Sequence, residues 1–96
     1  MNFLINDIDQ FLHKNQHGWT TREKAHVLAA LVVALRPTTT VEIGVYAGRS
    51  AITMALAHRF IKHGLITGID PFSNEAAVEG YEGDHRKWWS ENVDLE

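Results

Sequence analysis

Apolar residues recur at Ile5, Ile8, Phe11 and Leu12, a helical spacing that predicts a short amphipathic helix with Asn6 as N-cap and Gly18 as its stop. Thr20-Thr21-Arg22-Glu23 has the form of a capping box, in which Thr20 accepts from the Glu23 amide, and Arg36-Pro37 is a terminator. The second helix therefore runs from about Thr21 to Leu35. Its stretch Ala25 to Leu35 is apolar almost all round, which predicts cover on more than one side.

The pattern then changes period. Thr38 to Gly44 is β-branched and ends on a glycine, which predicts a buried strand. Val45 to Arg49 forms a turn. From Ser50, Ile52, Leu56 and Phe60 fall on one helical face with Met54 and Ile61 beside it, and Gly64 is the predicted C-cap. Leu65 to Asp70 reads as a second strand closed by Pro71. Strand, helix and strand over about 30 residues is the βαβ unit of a parallel sheet. Beyond Pro71 the pattern weakens: Ser73 caps a short helix through Val78, Asp84 caps another through Val93, and Gly80-Tyr81-Glu82-Gly83 is a loop between them.

Ninety-six residues hold one domain or a part of one, and 45% hydrophobic with 22% charged residues is a folding composition. The longest apolar run, Val27 to Leu35, is nine residues, against about 20 for a membrane span. No cysteine is present, which removes disulfides and thiolate sites and points to a reducing, cytoplasmic setting. The formal net charge of -3 offers no basic stripe for nucleic acid. Charge is divided: Met1 to Ile69 carries seven basic and four acidic residues, Asp70 to Glu96 two basic and eight acidic. The last residues end inside a helical pattern, so a chain cut short at its C-terminus is expected. The resulting division is a helical lead-in over 1–37 and a partial cofactor-binding unit over 38–96.

In an open parallel sheet, ligands bind beyond the carboxyl ends of the strands. That rule gives two candidate sites: the turn Glu42-Ile43-Gly44-Val45-Tyr46-Ala47-Gly48-Arg49-Ser50, which leads into a helix N-terminus, and Asp70 at the next strand tip. The dinucleotide fingerprint G-x-G-x-x-G fails, because Tyr46 and Arg49 stand where its second and third glycines belong. The phosphate loop fails as well, with three residues between Gly44 and Gly48 and an arginine in place of the lysine. A polyphosphate ligand is therefore disfavoured. The plain alternatives remain open, namely a βα turn whose glycines serve packing and an Asp-Pro pair that only ends a strand. Glu42 in an apolar strand is harder to explain without a partner.

The first turn, followed by Gly68-Ile69-Asp70-Pro71-Phe72, resembles the first two motifs of class I S-adenosylmethionine-dependent methyltransferases, nearest the subgroup reading E-I-G-V-x-x-G-R-S and G-x-D-P-[WF]. Arg86-Lys87-Trp88-Trp89 with Val93-Asp94 is similar to the same subgroup. The resemblance implies an α/β, Rossmann-like parallel sheet of which this chain supplies the first βαβ portion after two helices. It implies S-adenosylmethionine as cofactor. Gly44 and Gly48 would let its methionine part lie on the backbone, Glu42 would orient its ammonium, and Ser50 would face its carboxylate. Asp70 would take both ribose hydroxyls, with Pro71 and Phe72 flanking the adenine; Tyr46 stands where many such enzymes have glycine. The acceptor would be a small molecule, and the catalytic base is not readable.

Two other functional classes compete: a non-catalytic nucleoside-binding or interaction module with half the fold, and a nicotinamide oxidoreductase fragment, which the missing glycines oppose. The six histidines suggest a metal only weakly. His13 and His17 share a helix face, His58 and His63 do not, and no carboxylate completes either set, so surface histidines are expected. Of Trp88 and Trp89, adjacent on a helix, one should pack and one should edge a site. An isolated half-sheet exposes apolar surface, which predicts self-association into a homo-oligomer.

Overall fold

Leu4, Ile8 and Leu12 stand four apart and are all buried, and this stripe sets the first helix, α1, over Asn2–Lys14. It starts a turn before the predicted cap. Asn6 is an exposed mid-helix residue, and the Met1 carbonyl already accepts from the Ile5 amide at 2.9 Å. The helix also stops before Gly18, because Asn15 turns both its backbone amide and its Nδ2 onto the Phe11 carbonyl, each at 3.0 Å. The computed structural model describes residues 1–95, and Glu96, the last residue of the predicted 38–96 segment, lies outside the described residues.

Helix α2 spans Arg22–Leu35, and its cap is Thr21, whose hydroxyl accepts from the Lys24 amide at 3.2 Å. The predicted Thr20–Glu23 box is thus displaced by one residue; Glu23 instead sits in the first turn, where a negative charge suits the helix dipole. Arg36 ends α2 in the left-handed conformation, just ahead of Pro37.

Strand β1, Thr39–Ile43, pairs in parallel with β2, Leu65–Ile69, in the register Thr39 to Leu65 through Ile43 to Ile69. Helix α3, Arg49–Ile61, joins them, so the predicted βαβ unit is present as an α/β arrangement behind two helices. Two short helices complete the described chain. Ser73 caps α4, Asn74–Ala77, by accepting from the Ala76 amide at 3.3 Å, and α5 spans Asp84–Asn92 with Asp84 as its first residue and Gly83 at the cap position. No helix among the described residues is long and apolar enough to cross a membrane.

The core gathers Leu4, Ile8, Leu12, Ala25, Ala29, Val32, Met54 and Ala57, so the lead-in helices and α3 share one interior. The buried residues of α3 are Ala51, Thr53, Met54, Ala57 and His58, whereas Ile52 and Phe60, from the predicted apolar face, are exposed. Small side chains on α2 and α3 let the two helices approach closely, a contact the bulkier face could not make. On α2, Val27, Leu31 and Leu35 are exposed, so the cover expected on more than one side is found on one. His58 is buried and structural, contrary to the expectation of surface histidines. Its Nδ1 lies 2.8 Å from the His63 carbonyl, and its Nε2 lies 2.9 Å from the Thr40 hydroxyl, which ties the end of α3 to β1.

Candidate functional site

Because the two strands end level, Gly44 and Asp70 emerge side by side: the Gly44 amide donates to the Ile69 carbonyl at 2.9 Å, one rung past the ladder. The turn between β1 and α3 folds over the Asp70 carboxylate. Oδ2 accepts from the Val45 amide at 2.7 Å and the Tyr46 amide at 3.1 Å, and Oδ1 accepts from the Phe72 amide at 2.7 Å. These amides, Phe72 first and then Tyr46, hold the Asp70 carboxyl below the usual carboxylate range, against a smaller opposing effect of desolvation. A carboxylate offers about four acceptor directions, so one remains on Oδ1.

Glu42 points from β1 toward the start of α3, where the Ser50 hydroxyl donates to its Oε1. Its Oε2 is buried and has no hydrogen-bond partner among the described residues. A buried carboxylate oxygen in that state is costly unless something outside the protein supplies a donor. Ser50 is thus engaged with an acid.

Gly44 and Gly48 have φ values of 84° and 85°, in the left-handed region that a glycine adopts without strain. At Gly44 a Cβ would meet nothing within 4 Å, so the space above this backbone is not filled by packing. Gly48 is buried at the cap position of α3. Tyr46 (φ 52°) and Phe72 (φ 48°) take the same left-handed conformation with large side chains, at a cost of about 1–2 kcal/mol each.

Two clefts lie on either side of the turn. The first, about 260 Å³, runs between the α1–α2 loop and the turn, with His17, Trp19, Gly44, Tyr46, Arg49 and Ser50 among its walls. The second, about 320 Å³, is bounded by His17, Tyr46, Ala47, Phe72 and Asn92 to Leu95. Of the residues singled out in the sequence, Gly44, Tyr46 and Ser50 meet in the first cleft, and Tyr46 and Phe72 in the second. Glu42 and Asp70 line neither cleft: Asp70 is covered by the turn amides it accepts from, and Glu42 is held at Ser50. Pro71 is exposed and lines neither cleft.

Sequence reasoning missed the α1–α2 loop. Trp19 lies 5.4 Å from the Tyr46 ring and stacks on Trp89 at 6.3 Å, so all three tryptophans of the chain, Trp88 included, form one cluster at the site mouth. Trp89 is buried, as expected of one of the pair, whereas Trp88 is half exposed and lines neither cleft. The available signal was an indole in a short polar loop between two helices. Among the described residues, no group of three or more His, Asp or Glu side chains is placed to hold a metal ion.

A family model described as O-methyltransferase matches residues 3–95 of the chain. No curated protein and no solved structure matches it.

Proposed function

The chain belongs to the O-methyltransferase family, and from that premise we propose that it binds S-adenosylmethionine at the tips of β1 and β2 and takes part in methyl transfer to the oxygen of a small acceptor. The observation that carries this reading is the Glu42 carboxylate, fixed through Oε1 by Ser50 and left with a buried, unpartnered Oε2. An amino-acid ammonium is a donor of the right charge for that oxygen. The open backbone above Gly44 provides room for the methionine chain, and the first turn of α3 suits its carboxylate.

In this reading Asp70 holds the ribose through the remaining direction of Oδ1 alone, because Oδ2 stays committed to the turn. Phe72, exposed beside the second cleft, flanks the base. When bound, S-adenosylmethionine supplies an electrophilic sulfonium methyl. The protein's part is alignment of that methyl with the acceptor, the main requirement of a direct displacement. Clefts of 260 and 320 Å³ suit small ligands, and a net charge of -3 does not suit nucleic acid. The cysteine-free composition supports a cytoplasmic setting.

Calorimetric titration with S-adenosylhomocysteine and with NAD tests the cofactor. Binding of the former alone is expected, and Glu42→Gln, which leaves the shape but removes the charge, should weaken it about tenfold or more, or at least roughly 1.4 kcal/mol. Equal affinity in wild type and Glu42→Gln would remove the basis for this reading.

A further inference from the structure

We propose that Arg49 is the positioning residue of this site: its guanidinium straps the α1–α2 loop to the start of α3, which makes that loop the outer wall of the first cleft. What the wall encloses rests on the cofactor reading above; the strap itself does not. Arg49 Nε donates to the Thr20 carbonyl at 2.9 Å, and Nη1 donates to the Leu12 carbonyl at 3.1 Å and to the Asn15 carbonyl. Leu12 lies in the last turn of α1, where carbonyls lack helical partners and the dipole favours a cation. One side chain thus closes the end of α1 and fixes the far end of the loop at Thr20.

The loop lies directly on the arginine arm. A Cβ at Gly18 would come 3.0 Å from Arg49 Cδ, and its φ of 117° is one that other residues rarely adopt, so glycine suits this contact. The next residue, Trp19, is thereby delivered onto Tyr46 and Trp89. Although Arg49 sits at a helix N-terminus inside a glycine-bearing turn, its charge is directed at three backbone carbonyls. It governs the shape of the cleft and is not the cation that meets an anion at the start of α3. Lysine cannot replace it, because an ammonium lacks the planar fork that reaches separated acceptors together.

The test reads the loop in the full chain, with all its tryptophans, by limited chymotryptic cleavage after the exposed Trp19. Arg49→Ala should speed that cleavage about tenfold with the far-UV helical signal retained. The same change should lower affinity for S-adenosylhomocysteine about tenfold, roughly 1.4 kcal/mol. Arg49→Lys should recover less than half of either change, and it carries the test if Arg49→Ala does not fold. Unchanged cleavage in a folded Arg49→Ala, or full recovery in Arg49→Lys, would overturn the proposal. Failure of the wild-type chain to bind S-adenosylhomocysteine would defeat the cofactor reading, while the cleavage rate would still decide the strap.

Discussion

The Asp70 carboxylate holds the turn together before any ligand arrives. Three backbone amides converge on it, from Val45, Tyr46 and Phe72. Asp70→Asn keeps a single acceptor oxygen and should destabilise the chain by about 1–3 kcal/mol in denaturant titration. Its folded carboxyl titrates below the ordinary value of 3.8, so its stabilisation is complete above that pH and is lost as pH falls through the folded value. The wild type should therefore lose stability below about pH 4 more steeply than Asp70→Asn. Tyr46 makes a different test. Its left-handed backbone favours glycine, while its ring contacts Trp19 and Trp89. Tyr46→Ala loses the rings and keeps the strain, so Tyr46→Gly should be more stable than Tyr46→Ala by about 1 kcal/mol, measured by thermal unfolding. The positions of Glu42, Gly44 and Asp70 at the strand tips are legible in the sequence because strand ends and glycine turns are local patterns. Arg49 and Trp19 are illegible as site residues, because their partners lie 29 or more and 27 or more residues away.

Among the elements, local chemistry predicts existence well and edges less well. Ser73 caps α4 as expected, and the βαβ order holds, because caps and β-branched runs act within a few residues. The start of α2 is displaced by one residue because Thr20 and Thr21 are both competent caps and only the geometry of the chain entering from α1 chooses between them. Thr21→Ala should cost about 1 kcal/mol and Thr20→Ala much less, as read by chemical unfolding. The inward face of α3 departs from its hydrophobic pattern because hydrophobicity favours Ile52 and Phe60, whereas close helix approach favours Ala51 and Ala57. Helices α1 and α2 are also joined by Asp9, which meets Arg22 through both oxygens at 3.1 and 3.0 Å and His26 at 2.7 Å. Arg22 foremost holds the Asp9 carboxyl below its ordinary value, so this tie also weakens as pH falls through the folded value.

As a whole the molecule is open. Its accessible surface is 6661 Å², against about 5,500 Å² for a compact protein of this mass, and its radius of gyration is 14.8 Å, against about 12–13 Å for this length. Much of the excess is apolar: Ile43 is 83% and Leu65 77% exposed on the two-stranded sheet, and Leu35 is 73% exposed on α2. We expect the 96-residue chain to self-associate as concentration rises, and Leu35→Lys with Ile43→Lys to reduce this in light scattering. A monodisperse wild-type monomer throughout would contradict the expectation. The parallel ladder carries a different consequence, because every rung joins residues 26 apart, from Thr39 with Leu65 to Ile43 with Ile69. One residue added inside β2 would move Asp70 about 3.3 Å beyond the amides it holds, and one added inside α3 would rotate everything after it by about 100°. Length is therefore itself an inherited instruction here: insertions and deletions should be tolerated in the loop 80–83, where nothing packs on either glycine, and purged between Thr39 and Asp70.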